Sequence, residues 1–184
     1  MVLDAAEALV IEDGFPALKV RTIAREIGYT VGSIYMVFTN RADLVLHINA
    51  RTLDAIAVQL QQVQDGGAGS IETLALVYLS YAERNFNRWR TAFDYRGAAG
   101  AETPGWYQEK IDSVFAPVEA RFAQLEPESA EADSKRAARA LWCGVHGICA
   151  LSLTESQARV DIKEVEATLI LLVRNFMRGW VTHA

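Results

Sequence analysis

A helical period runs almost unbroken through this chain, and it limits the fold more than any other feature. Apolar residues recur at threes and fours in Leu3, Ala6, Leu9 and Val10, in Val20, Ile23, Ala24 and Ile27, and in Leu74, Val77, Tyr78 and Tyr81. Leu44, Ile48, Ile56 and Leu60 continue the spacing in fours and multiples of four. Such spacing marks one buried face of an α-helix, whereas a half-buried strand would alternate strictly. No β-alternation competes with it, and proline occurs only at 16, 104, 117 and 127. The fold class is therefore all-α, with about nine helices of which the first three are short. The spacing predicts helices near 2–13, 20–27, 30–37, 41–63, 71–87, 105–125, 133–153 and 161–181.

Local signals punctuate this pattern. Gly14 and Gly28 stand where helices end, and a residue without Cβ tolerates the positive φ that closes a helix tightly. Thr30, Ser70 and Asp161 are N-cap residues by type. Asn40 followed by Asp43 is close to a capping box, as is Asp161 followed by Glu164. The run "DGGAGS" at 65–70 is the clearest breaker. The stretch "RWRTAFDYRGAAGAETP" at 88–104 reads as irregular, and "EPESAEAD" at 126–133 as an acidic loop.

Composition excludes several classes. Of 184 residues, 51% are hydrophobic and 22% charged, a globular balance and not a disordered one. No apolar run reaches the roughly 18 residues of a membrane span, and no basic flank of a secretory signal opens the chain. Cys143 and Cys149 are the only cysteines and share one helical pattern, so a disulfide framework is excluded and a reducing cytoplasm is expected. The formal charge of −5 does not advertise a nucleic-acid partner, but its placement matters more. Residues 1–13 hold four acids and no base, whereas residues 15–51 hold five basic residues against two acidic ones.

That basic segment surrounds "GYTVGSIYMVF" at 28–38, where two glycines lie four residues apart. Glycine inside a helix costs roughly 1 kcal/mol against alanine, so each needs a reason. Three short helices with a glycine turn between the second and third fit a helix-turn-helix unit. In that unit Gly28 makes the turn, Thr30 caps the third helix, and Gly32 lets its first turn approach a phosphate backbone. Tyr35 shares that face and can donate its hydroxyl to phosphate. Ile34, Val37 and Phe38 are the apolar anchors.

On these residues the chain resembles the TetR family of one-component transcriptional regulators. The matching blocks are Gly14-Phe15, "VRTIAREIG" at 20–28, "TVGSIYMVF" at 30–38 and "NRADL" at 40–44. The resemblance implies an amino-terminal DNA-binding domain over 1–45 and a ligand-binding and dimerisation domain over 46–184. It implies that Lys19, Arg21, Thr22, Tyr35 and Arg41 hold the DNA backbone, with Gly32 close to it, and that Thr30, Val31, Ser33 and Met36 face base edges. Three departures stand out. Lys19 replaces the usual capping Ser or Thr, no basic arm precedes the first helix, and Val31 and Met36 are apolar where polar side chains are frequent. Apolar side chains cannot hydrogen-bond a base edge, so Val31 and Met36 either touch thymine methyl groups or pack against the head itself.

Beyond residue 45 the similarity fades, although "LWCGVHGICAL" at 141–151 resembles the Trp-x-x-x-His-Gly core of the WHG-type carboxy-terminal domain. Cys143, His146 and Cys149 span about 120° of one helix at 100° per residue. Three ligands on one face fall short of a structural zinc site, so no metal and no cofactor is expected, and His146 is expected to hydrogen-bond within the core. Aromatic side chains crowd residues 85–145, and the resemblance implies an apolar cavity there. Tyr78, Tyr81, Trp89, Phe93, Trp106, Phe115, Trp142 and His146 are the candidate lining of that site, with Arg84 as a further polar handle, for a small apolar or aromatic effector.

The last helix is apolar on more than one side, so one side is expected to meet a partner through Leu169, Val173, Phe176, Met177 and Trp180. The resemblance implies a homodimer that binds a palindromic double-stranded operator and is released by effector, with the helix at 41–63 as the lever. Two readings compete with this one: a dimeric small-molecule-binding module with little DNA affinity, and an all-α enzyme built on His146 and the cysteines. The sequence supplies no nucleophile–base pair, phosphate loop or useful carboxylate pair for the enzyme.

Overall fold

The computed structural model describes residues 1–64, 66–95, 102–125, 127, 130–154 and 160–181. Parts of the regions read as irregular at 88–104 and as an acidic loop at 126–133 thus lie outside the described residues. Among the described residues there are nine α-helices, one 3-10 turn and no strand. They are α1 (Val2–Asp13), the turn Phe15–Ala17, α2 (Val20–Glu26), α3 (Val31–Tyr35), α4 (Arg41–Gln61), α5 (Ala68–Arg84), α6 (Phe86–Asp94), α7 (Gly105–Leu125), α8 (Glu131–Thr154) and α9 (Ile162–Val181).

Most boundaries follow from local chemistry. Gly14 closes α1 at φ 75°, with its N–H donating to the Val10 carbonyl. Thr30 caps α3 through its hydroxyl oxygen, which accepts the Ser33 N–H at 3.1 Å. Asn40 Oδ1 accepts the Asp43 N–H at 3.0 Å, and Asp43 returns a carboxylate to the Thr39 N–H at 2.9 Å. Asp161 Oδ1 accepts the Lys163 N–H at 3.0 Å.

Two boundaries differ from the sequence expectation. Ser70 does not cap α5; it lies inside the first turn, and its hydroxyl donates to the Gly67 carbonyl at 2.6 Å. Residues 86–94 are helical, not irregular. Phe86, Trp89 and Phe93 stand at helical spacing along α6, with successive ring centroids 6.2 and 5.8 Å apart. The glycines downstream of Asp94 hid that stripe.

The chain forms two compact units. The first comprises residues 1–55 and 85–111, so it reaches well beyond the amino-terminal 45. Its core gathers Ala6, Val10, Ile23, Ile34, Leu44 and Ile48, each at most 1% exposed. Charge pairing tightens it around Glu7, whose carboxylate accepts Arg51 Nη1 at 2.9 Å and Arg88 Nη2 at 2.6 Å. Asp4 also takes Arg51, at 2.7 Å. Asn87 Nδ2 donates to the Ile11 carbonyl at 3.0 Å, which ties α6 to the end of α1.

The second unit comprises residues 56–84 and 112–184, and α5, α8 and α9 pack on one another within it. Phe122, fully buried on α7, receives the ring edges of Phe176 and Trp180 from α9 at 6.1 and 5.7 Å. Pro117 lies inside α7 and offers no N–H to the carbonyl four residues back. Arg174 on α9 grips Glu72 on α5 with two nitrogens, at 2.9 and 3.1 Å.

Candidate nucleic-acid interface and effector cavity

The head begins with α2 and α3. Gly28 stands between them at φ 73°, and a Cβ there would meet nothing within 4 Å. Its requirement is therefore conformational: in the left-handed region a side chain costs roughly 1–2 kcal/mol. The turn is fixed by the Tyr29 N–H, which donates to the Ala24 carbonyl at 2.8 Å.

From α3 only Ile34 is buried, at 1% exposure. Helical backbone continues past Tyr35, because the Met36 N–H donates to Gly32 and the Phe38 N–H to Ile34. Val31 is half-buried against the head core, together with the buried Ile34 and Phe38. Met36 is the opposite case at 89% exposure, with Tyr35 at 45% and Val37 at 69%. Val37, expected as an anchor, thus faces solvent. The exposed Gly32 has ordinary helical φ, and an added Cβ would lie 3.6 Å from Thr30 Oγ1, an ordinary contact. Nothing among the described residues demands glycine at 32.

The expected backbone-holding residues are mostly at the surface. Lys19 and Arg21 are exposed and Thr22 is half-buried. Lys19 occupies the N-cap of α2 without a side-chain capping bond, which leaves its ammonium for other partners. Arg41 is already engaged: its Nη2 donates to the Leu18 carbonyl at 3.3 Å, and its guanidinium lies over the Phe15 ring at 4.9 Å. It braces the 3-10 turn against α4 before any other task. Thr30 and Ser33 hydroxyls lie 2.9 Å apart and hydrogen-bond each other. Arg25 and Tyr29, both exposed beside the turn, were not among the expected contacts; their flanking of Gly28 was the available signal.

In the second unit an apolar cavity of about 20 Å³ lies among Ile71, Leu74, Ala75, Tyr78, Val118, Leu141, Trp142, Val145 and Val173. Tyr78 and Trp142 rings meet at 4.4 Å, and the Phe115 and Trp142 rings meet edge-on at 5.3 Å. Tyr78 Oη and His146 Nδ1 are 2.8 Å apart, so His146 hydrogen-bonds inside its own unit as expected. The structure therefore gathers Tyr78, Phe115, Trp142 and His146. Tyr81 is buried in the same unit, and Arg84 is exposed. Trp89, Phe93 and Trp106 belong to the first unit instead, where Trp106 stacks on His47 at 4.5 Å. Of the three only Trp89 is buried, Phe93 and Trp106 being half-buried, and helical spacing did not say which unit they fill. The apolar α5 stripe Ile71, Leu74, Ala75 and Tyr78 was the signal that located the cavity.

Cys143 is exposed and Cys149 buried, so the two thiols leave α8 in different directions. Burial pushes the Cys149 thiol up to about 12. At pH 8 its thiolate fraction is then roughly one in ten thousand. Iodoacetamide at pH 8 is expected to leave Cys149 unmodified in the folded protein and to alkylate it after denaturation, as read by peptide mass spectrometry.

The dimer candidates divide. Leu169, Val173 and Met177 are at most 6% exposed within the single chain, so they fill its interior and are not available to a partner. Phe176 and Trp180 are half-buried against Phe122. The uncovered apolar side chains are Leu151 on α8, at 72%, and Leu171 on α9, at 62%. Along α8 the exposed or half-exposed stripe is Ala140, Cys143, Gly144, Gly147 and Leu151, all uncharged. No described helix is long and apolar enough to cross a membrane.

Residues 2–48 match the family model described as "Bacterial regulatory proteins, tetR family", and residues 71–176 match "Tetracyclin repressor-like, C-terminal domain". The chain is 25% identical over 184 residues to the uncharacterized HTH-type transcriptional regulator Rv0681 of Mycobacterium tuberculosis, covering 99% of this chain and 82% of that one. A Rhodococcus sp. RHA1 protein of unknown function has the same fold, with TM-score 0.74, 19% identity, and 97% and 92% of the two chains covered. So does Bacillus subtilis FadR, solved in complex with stearoyl-CoA, with TM-score 0.69, 15% identity, and 94% and 96% covered.

Proposed function

The chain belongs to the TetR family of bacterial regulatory proteins and is a DNA-binding transcriptional regulator, and from that premise we propose that it acts as a homodimer on a palindromic operator, released by a small apolar effector. The observation that carries the proposal is the division of labour between the units. The first presents a glycine-turned helix pair with exposed Lys19, Arg21, Arg25 and Tyr35, and the second carries a small, wholly apolar pocket lined in part by Tyr78, which is hydrogen-bonded to His146.

The uncharged α8 stripe with Leu151, and Leu171 on α9, supports a two-fold interface, since isolated monomers rarely leave such a surface bare. The cavity of about 20 Å³ is far below the several hundred Å³ that effector sites occupy. A ligand therefore binds by favouring a more open arrangement, and its differential affinity for that arrangement sets how far DNA binding shifts. An acyl chain, as in the stearoyl-CoA held by the Bacillus subtilis relative, is the ligand chemistry this lining fits best. Its walls are wholly apolar, as a hydrocarbon requires once the site opens, and Tyr78, which lines it, is held by His146.

Footprinting over the DNA that flanks its own gene tests the proposal. The expected result is a protected palindrome with half-sites about one duplex turn apart, lost on adding a long-chain acyl thioester. Binding that ignores sequence and vanishes in moderate salt would refute it. Tyr35→Phe is expected to weaken the operator complex several-fold at every salt concentration and to leave its salt dependence unchanged, because the lost phosphate contact is an uncharged hydroxyl that releases no counterion. Unchanged affinity would exclude Tyr35 from the contact.

A further inference from the structure

We infer that Met36 is the specificity-determining side chain of the head, and that it reads the 5-methyl group of a thymine in the major groove. The inference rests on the reading of α2 and α3 as a DNA-binding head.

The helical wheel places the inference. At 100° per residue, Val31, Ile34 and Phe38 fall on one side, and Gly32 and Met36 fall about 160° from Ile34, on the opposite side. Burial agrees: Ile34 and Phe38 are at most 5% exposed, whereas Met36 is 89% exposed. The outward face of α3 is thus a glycine with no side chain and a methionine one turn later. Tyr35, about 60° from Gly32 and 45% exposed, flanks that face and is the side chain assigned above to phosphate.

The hydroxyls beside it bond each other first, with one hydroxyl proton of the pair left for an outside partner. Thr30 Oγ1 accepts the Ser33 N–H at 3.1 Å and lies 2.9 Å from Ser33 Oγ. Val31, the other apolar side chain at an expected base-facing position, is packed on the head core. Met36, at 89%, is the most exposed of the expected base-facing side chains, and it has no hydrogen-bond donor. A thioether chain gains from a base edge chiefly through apolar contact, and in the major groove the one apolar group displayed is the thymine methyl. A duplex is the occupant that the charge pattern favours, since Lys19, Arg21 and Arg25 are exposed around the turn, whereas Arg41 and Arg51 are engaged within the head. Met36 itself supports no folded contact that its loss would disturb, so a variant there tests recognition and not stability.

Full-length protein is used to select a duplex from a random-sequence pool, and each thymine of that duplex is then replaced in turn by deoxyuridine, which keeps base pairing and removes only the methyl group. Wild type is expected to lose about fourfold in affinity at one position in each half-site, the factor that burying one methyl group gives. Met36→Ala is expected to bind the thymine duplex about fourfold more weakly per half-site and to show no further loss at that position. The inference is overturned if no deoxyuridine position lowers affinity by twofold, or if the loss persists in full in Met36→Ala. A pool that yields no enriched duplex overturns the DNA-binding reading, and the inference with it. An enriched duplex that ignores deoxyuridine overturns the inference alone.

Discussion

Trp142→Ala is expected to lower the unfolding free energy of the second unit by about 3–5 kcal/mol, the range for truncating a buried aromatic side chain. The indole is 7% exposed, meets the Tyr78 ring at 4.4 Å, takes the Phe115 ring edge-on at 5.3 Å and walls the apolar cavity. Its removal costs the transfer free energy of the ring and leaves a hole that its neighbours fill only in part. The hole joins a cavity already lined by apolar side chains, so it is expected to admit indole itself. Saturating indole is then expected to recover part of the lost stability, because a ligand that binds only the folded state stabilises it by mass action. Urea unfolding with and without indole reads both effects. A loss below about 1 kcal/mol would show that Trp142 is not a main support of the unit. A full loss without indole rescue would show that the site collapses.

Ile34→Ala is expected to cost about 2–5 kcal/mol of head stability and to weaken operator binding by more than tenfold, while the second unit stays folded. A helix of five residues has almost no stability of its own, since nucleation is unfavourable and few hydrogen bonds follow it. Ile34 is the only buried residue of α3, and Phe38 just beyond it is 5% exposed. Removing three carbons from Ile34 takes away most of what holds the outward face in register for the groove. Operator titration, together with hydrogen exchange resolved by residue, separates the outcomes. Loss of protection confined to residues near 20–38 with weakened binding is expected; full affinity would mean that packing elsewhere fixes α3.

The sequence was most legible where structure is local. The Gly28 turn, the Thr30 cap, the paired bonds at Asn40 and Asp43, and the Asp161 cap each involve atoms within five residues, and all four appear in the structure. Ser70 is the exception among the caps. Its type suited a cap, but its hydroxyl found the Gly67 carbonyl one turn earlier. Helix α6 was obscured for a related reason: nearby glycines outweighed a stripe of three aromatic side chains at helical spacing.

By itself, then, the sequence determined an all-α chain, the order of its helices, and a reading head with a glycine turn, because hydrogen bonds and dihedral preferences between close neighbours depend on little else. Tertiary structure decided which buried faces meet. It placed Trp89, Phe93 and Trp106 in the first unit and Trp142 on the cavity of the second, and turned Leu169, Val173 and Met177 into their own unit while leaving Leu151 and Leu171 bare. It also packed Val31 inward and left Met36 outward. A periodic stripe reports that a face is buried and carries no information about its partner; that choice belongs to packing between segments far apart in the chain.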